Sequence, residues 1–457
     1  MPRFALVIVS LVVIASCQSD NLQSCKLPAN VGMPGCVDAP MMMPSTSCTV
    51  LGCGSTPSTP VCDASKDGGT CVECTTSNST RCTGTTPLCT NDVCTPCTNH
   101  ADCSESKVCL PDGSCAVSAD VAYVDGATGA DNAPCTLAAP CTKLDKAVGL
   151  KAIVKVSGTV TQHASINSGT ARIFADPGAK LAPTETDNSP ALEIKGNAKL
   201  EIYDLQVSKA ANSGASGLSV ADTAAVILTR VQVRDNAANG IIVTGGQLTC
   251  TRCLVTSNGA RGVDASGGVS VITQSTISNN PTGGIQMTTD AAFRIVSNVI
   301  FHNGQSSRAA AAGVAIQVNA KSASATPNQL DFNSISRNAT FEGQGVQCSA
   351  GNIIIANSNI IYNNGDDPST ALQVSGSGCV YKYSDIGPIG VGTINANMTF
   401  DPKFVDEANG DLHLMSGSMA VRAADPNADL NDLASRDIDG ELRVGPADIG
   451  ADQRPRP

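Results

Sequence analysis

Aromatic side chains are scarce in this chain, at 3% of 457 residues with no tryptophan, so no stacking groove for sugar rings or bases is evident. Charge is thin as well: charged residues make up 15%, and forty acids against twenty-nine bases give −11. That balance disfavours nucleic acid or an anionic polymer as a broad electrostatic partner, and no nucleic-acid partner is expected. The four histidines, His100, His163, His302 and His413, are scattered without metal-ligand spacing. There is no Gly-x-Ser-x-Gly elbow. The longest apolar run, Phe4–Ile14, is eleven residues, too short to cross a bilayer.

What the chain has in quantity is repetition. Asn236, Asn258, Asn280, Asn303, Asn338 and Asn364 each stand three residues after an aliphatic residue (Val233, Val255, Ile277, Ile300, Ile335 and Ile361). The first four recur every 22 or 23 positions. A second column, Ala191, Gly217, Gly240, Gly262, Gly284, Gly313, Gly345 and Ala371, opens apolar-x-apolar strands such as Gly-Leu-Ser-Val. Short strands and Asn/Gly corners at a fixed period define a β-solenoid, in which each coil buries its dry face only by stacking on the last. One unit's dry set is Leu218, Val220, Val226, Leu228, Val231 and Val233. Eight such coils and an earlier one around 153–181 predict a rod about 43 Å long at roughly 4.8 Å per coil. The Asn column is expected to occupy left-handed corners and to hydrogen-bond along the stack. Insertions at Ser306–Ala312 and Lys321–Asn328 lengthen two steps of the period.

Arg3 and the apolar run read as a signal segment ending in Ile14-Ala15-Ser16-Cys17. This ending resembles the lipobox of bacterial lipoproteins, which implies cleavage before Cys17, acylation of Cys17, and a membrane partnership through that lipid anchor. Gln18 after Cys17 favours, by the same analogy, the outer membrane and the cell surface. The remaining twenty cysteines fall in even local groups, as disulfides outside the cytoplasm would. Cys135 with Cys141 and Cys348 with Cys379 are candidate bridges; Cys250 and Cys253 are either a bridge or two core residues. Between residues 48 and 116 the cysteines repeat in a Thr/Ser/Gly-rich stretch with almost no large apolar residues. Cys71-x-x-Cys74 and Cys94-x-x-Cys97 match zinc-ribbon spacing, but the repeat accounts for every cysteine where zinc would use four. A segment without a core needs covalent staples, so disulfides are expected here. Residues 17–47, with Pro28, Pro34, Pro40 and Pro44, read as a tether between lipid and module.

Tyr123-Val-Asp-Gly-Ala-Thr-Gly-Ala-Asp131, followed by Pro140-Cys-Thr-Lys-Leu-Asp-Lys-Ala-Val148, resembles the opening motif of right-handed parallel β-helix proteins of the pectin-lyase-like superfamily. The resemblance implies a short helix over Lys143–Val148 that caps the first coil. Phe404–Leu414 and Asp437-Ile-Asp-Gly-Glu-Leu-Arg443 with Asp448-Ile-Gly-Ala451 resemble the C-terminal region of "choice-of-anchor Q" β-helix proteins of bacterial surfaces, with Gln453 where a Glu is common. The expected architecture is therefore all-β: a disulfide-rich module over 48–116, a single-stranded right-handed parallel β-helix of about nine coils over 120–400, and a C-terminal cap region over 401–457.

Catalysis on such a fold needs clustered carboxylates, a base or calcium on the outer face of a strand ladder. On one ladder the alternation points Ser219, Ile242, Asp264, Gln286, Ala315, Gln347 and Gln373 outward, a single carboxylate in seven, so Asp264 is only a weak catalytic candidate. No Gly-His-Gly or Asp-Asp motif of the galacturonase kind is present. Arg230 and Arg252, beside the stacked Thr229, Thr251 and Thr273, are candidates for gripping an anionic sugar, with Gln286 and Gln347 as further ligand-binding candidates. They are set against the plainer reading of a solvated face. Asp425-x-Asn427-x-Asp429 begins like a calcium loop, but Leu430 and Arg436 replace its Gly and Glu. Structural calcium is thus the one cofactor to consider. The function expected is a surface lipoprotein whose rod adheres to a polysaccharide, an envelope component or a surface protein. The alternative is a polysaccharide lyase or glycoside hydrolase with a loop-borne site.

Overall fold

The computed structural model describes residues 53, 59, 61–66, 69–208, 214–288, 290–305, 314–319, 328–339, 344–349, 351 and 353–455. The signal segment, Cys17, the tether and nearly all of the two insertions lie outside the described residues. The chain forms two compact units that divide between Pro96 and Cys97.

The first unit holds two short antiparallel hairpins, Val61–Asp63 with Thr70–Val72 and Leu88–Thr90 with Val93–Thr95. Disulfides join Cys53 to Cys71, Cys74 to Cys89 and Cys82 to Cys94. The zinc-ribbon quartet is thereby dispersed, because Cys71, Cys74, Cys94 and Cys97 each bridge to a different partner.

The second unit is the solenoid. Three parallel sheets of eleven, ten and nine strands run along it, each coil adding one strand to each sheet. The shortest sheet sets nine complete coils. Val233 pairs with Val255, Val255 with Ile277, Ile277 with Ile300, Ile300 with Ile335 and Ile335 with Ile361, so the aliphatic column is stacked in register. Each of these side chains is at most 1% exposed, burial that stabilises by about 1.5–3 kcal/mol per side chain. Cys250 and Cys253 occupy core positions and are also bridged, as are Cys135–Cys141 and Cys348–Cys379. A helix, α1 (Leu144–Leu150), buries Leu144, Ala147 and Val148 at the entrance of the coils.

The corners differ from expectation in a specific way. The left-handed residue is the one before each ladder asparagine: Asp235, Ser257, Asn279, His302, Arg337 and Asn363 have φ of 53–56°. The asparagine that follows turns inward, and its amide donates to the next coil. Asn236 to Asn258, Asn258 to Asn280, Asn280 to Asn303, Asn303 to Asn338 and Asn338 to Asn364 are linked at 2.7–3.0 Å. Insertions also shift the glycine column. Ile285 pairs with Ile316 and Val346 with Val374, so Ala315 and Gln373 hold the places assigned to Gly313 and Ala371. Both are buried, and the outward positions on those coils belong to Gln317 and Ser375. Gln373 ends the ladder by accepting from Asn364 at 3.0 Å.

Two segments cover parts of the outer surface. The third cysteine repeat, bridged Cys97–Cys109 and Cys103–Cys115, lays Val108 and Ala116 against Val121, Tyr123 and Phe174 on the first coils of the eleven-stranded sheet. Beneath it Lys155 is 2% exposed and paired with Asp176 at 2.7 Å. The C-terminal region runs along the flank rather than over an end. Phe404, Leu412, Leu414, Ala420 and Ile449 pack on the outward-facing Val296, Val299, Phe332 and Ile360.

Candidate functional site

The outer face of the eleven-stranded sheet carries one continuous row. Register pairs Arg172 with Glu201, then Ile227, Thr249, Val271, Arg294 and Gln329 in succession along the coils. At its C-terminal end the row meets a cavity of about 370 Å³ lined by Arg294, Gln329, Asp331, Ile355, Asn357 and Asp432. Its polar groups form one chain of hydrogen bonds. Arg294 donates to Asp432 at 2.5 Å and to Gln329 at 2.8 Å; Gln329 donates to Asp331 at 2.7 Å. The Asn357 backbone donates to the other Asp331 oxygen at 2.9 Å, and its amide to Asp425 at 2.8 Å. Burial pushes the Asp331 carboxyl up to about 6, with Gln329, Asn357 and Arg294 opposing the shift. At the other end of the row a cavity of about 490 Å³ is lined by Ile153, Arg172, Lys199, Glu201 and Ile227.

A third cavity, of about 430 Å³, lies where the C-terminal region meets the ten-stranded sheet and includes Arg252, Gln274, His413 and Asp439. Arg252 donates to the Asp439 carbonyl at 3.2 Å, and Gln274 to the Asp437 carbonyl at 2.6 Å.

The residues singled out from sequence are spread among these places. Arg230 binds the Asp204 carboxylate on the preceding coil through two bonds of 2.6 and 2.8 Å. Arg230 and Arg252 are left-handed corner residues of their coils, and Arg252 lines the third cavity. Gln286 and Gln347 face outward on the nine-stranded sheet, with Gln317 between them, in an amide ladder with bonds of 2.6 and 2.7 Å. Asp264 sits on the same face between Ile242 and Gln286, 3.8 Å from Arg261. Asn239 also donates to it, at 3.5 Å. The carboxylates of Asp425 and Asp429 each accept a hydrogen bond from the backbone two residues on. Asp425 accepts from Asn427 and Asn357, while Asp429 accepts from the Asn431 backbone. Asp437 caps its own turn, accepting from Asp439 and Glu441.

Sequence reading missed Arg294, Gln329, Asp331 and Asn357. The signal available was the ladder of Thr229, Thr251 and Thr273, whose register continues through Val296 to Asp331 and Asn357 across the insertion-lengthened spacing.

Against known families, a model described as "Right handed beta helix region" matches residues 216–386. A family of unknown function (DUF8331) matches residues 14–122. The fold is a right-handed parallel β-helix. Among solved structures, the crystal structure of pectate lyase Pel9A is similar at 14% identity, covering 73% of this chain and 96% of that chain with a TM-score of 0.44. No curated protein matches the sequence. No helix among the described residues is long and apolar enough to cross a membrane.

Proposed function

We propose that this protein is an exported lipoprotein of the choice-of-anchor Q kind. Acylated at Cys17, it is held at the bacterial outer surface, and its β-helix binds a polysaccharide along the outer face of the eleven-stranded sheet. The carrying observation is the row from Arg172 to Gln329, with the Arg294 cavity at one end and, at the other, a largely apolar cavity that Ile227 helps to line. Alternating donors, acceptors and small apolar patches suit sugar hydroxyls and C–H faces without an aromatic platform. The parallel rungs, about 4.8 Å apart, suit a linear polymer lying along the coils. Export is supported by eight disulfides among the described residues, since such bridges persist outside the cytoplasm.

A glycan array with the purified protein tests this. Binding to an extended polysaccharide, weakened at least about tenfold by Arg294→Ala, is the expected result, the loss of one charge-assisted bond being worth about 1.5–3 kcal/mol. Uniform blanks would leave a purely structural rod.

One observation favours a second reading, a polysaccharide lyase or hydrolase. Asp331 holds a proton at mildly acidic pH inside a cavity shared with Arg294 and Asp432. Both Asp331 oxygens already accept hydrogen bonds, which favours a positioning role. Release of reducing or unsaturated ends from a panel of uronate polymers, with and without calcium, and its loss in Asp331→Asn, would favour the enzyme.

A further inference from the structure

We propose that His413, Asp439 and Asp452 form a binding site for a divalent transition metal of the zinc or manganese class. Nothing in the polysaccharide reading requires this site, which lies at the third cavity. His413 stands on the strand Asp411–Leu414, and that strand's backbone fixes a second ligand, since the Leu414 N–H donates to Asp452 at 2.8 Å. Asp439 sits in the turn that Asp437 caps. One ligand atom from each of the three side chains lies within 4.8 Å of the other two.

The imidazole lies between two carboxylates. His413 Nδ1 is 2.5 Å from Asp411, and Nε2 is 2.9 Å from Asp439. A metal held by Nε2 would displace the proton that this nitrogen otherwise shares with Asp439, while Nδ1–H goes on donating to Asp411. A carboxylate behind the imidazole is the support that metal-bound histidines generally have. One nitrogen and two carboxylate donors suit zinc or manganese better than magnesium or calcium, which prefer oxygen throughout. The cavity of about 430 Å³ opens at His413 and Asp439, leaving room for water or a ligand oxygen beside Arg252. The competing account is an imidazolium clasped between two carboxylates with no metal.

The test uses the full oxidised chain, its remaining thiol alkylated, dialysed against chelator, so that cysteines contribute no ligands. Calorimetric titration with Zn²⁺ and with Mn²⁺ should show one equivalent bound and a raised melting temperature. Asp439→Asn, a position half exposed at 53%, should weaken binding at least tenfold. Asp411→Asn should weaken it by roughly 10–100-fold through the imidazole. His413→Gln should abolish it. No uptake of either ion, or uptake undiminished in Asp439→Asn and Asp411→Asn, would overturn the site in favour of the imidazolium clasp. Uptake of calcium alone would overturn it too.

Discussion

Asp385 shows how much a single buried carboxyl can matter in a fold with few charges. It is 0% exposed, one oxygen accepts from the Phe400 backbone at 3.0 Å, and the other has no partner among the described residues. Burial, with Asp401 adding to it, pushes its carboxyl up to about 6. The folded protein therefore binds this proton more tightly than the unfolded chain, whose Asp ionises near 4. Stability from this group is fully present below pH about 4 and is lost as pH rises through about 6. Asp385→Asn keeps an acceptor for Phe400 and removes the charge. Urea melts should show the variant more stable than the parent above pH about 6, by on the order of 1–3 kcal/mol, and level with it near pH 4. A variant less stable at every pH would mean that the unpartnered oxygen has a partner. None of this was legible in the sequence, where Asp385 is one of forty acids. The same holds for Arg230, whose partner Asp204 lies 26 residues back, one coil away in space.

The repeating coil was legible almost to the residue, because its two columns are one device. A Cβ on Gly240 would come within 2.8 Å of the Asn258 amide nitrogen and 2.6 Å of the Gly262 carbonyl. The small residue is there because the ladder amide lies against it. What was not legible is the second ladder, at the other corner. Its column reads Leu205, Val231, Cys253, Ser275, Asn298, Asn333 and Asn359, each following a left-handed residue. Only from Ser275 onward is it polar, with Asn298 bonded to Asn333 and Asn333 to Asn359 at 3.0 Å. A column that changes from apolar to polar midway gives no periodic signal, and the insertions blur the rest. Central ladder members should be the costliest to lose. Asn280 donates to Asn303 and to the Val255 carbonyl and accepts from Asn258 through backbone and amide, all buried. Asn280→Ala orphans several of these groups at about 1–3 kcal/mol each. Thermal denaturation should show a drop far larger than for Asn279→Ala, whose partly buried amide donates to Thr256 and Ser278 at 3.5 and 3.3 Å.

At the scale of the whole molecule, periodicity carried the fold class and cysteine parity carried the staples, while the sites stayed hidden because they join distant stretches of chain. Arg294 meets Asp432 across 138 residues, Gln274 meets Asp437 across 163, and Arg252 meets Asp439 across 187. A repeat reads only its own coils, so contacts made by a chain folding back on the flank leave no local pattern. Arg443 is the residue on which that return depends. It is fully buried beneath the C-terminal segment, stacks on Phe332 at 4.7 Å, and donates to the carbonyls of Asp448, Gly450, Ala451 and Asp452. Burial lowers its guanidinium to about 10, opposed by Asp437, Asp452 and Asp448, so it stays charged at neutral pH. Arg443→Met retains the volume over Phe332 but strands four carbonyls and three acids. A cost of about 3–5 kcal/mol follows from removing one side of a buried charge cluster. That loss should fall on the flank rather than on the coils, whose core is packed separately. Hydrogen exchange should therefore show residues 404–452 opening at lower denaturant than the strands around Val255 and Ile277. Loss of both together, in one transition, would mean that the flank segment and the solenoid fold as a single unit.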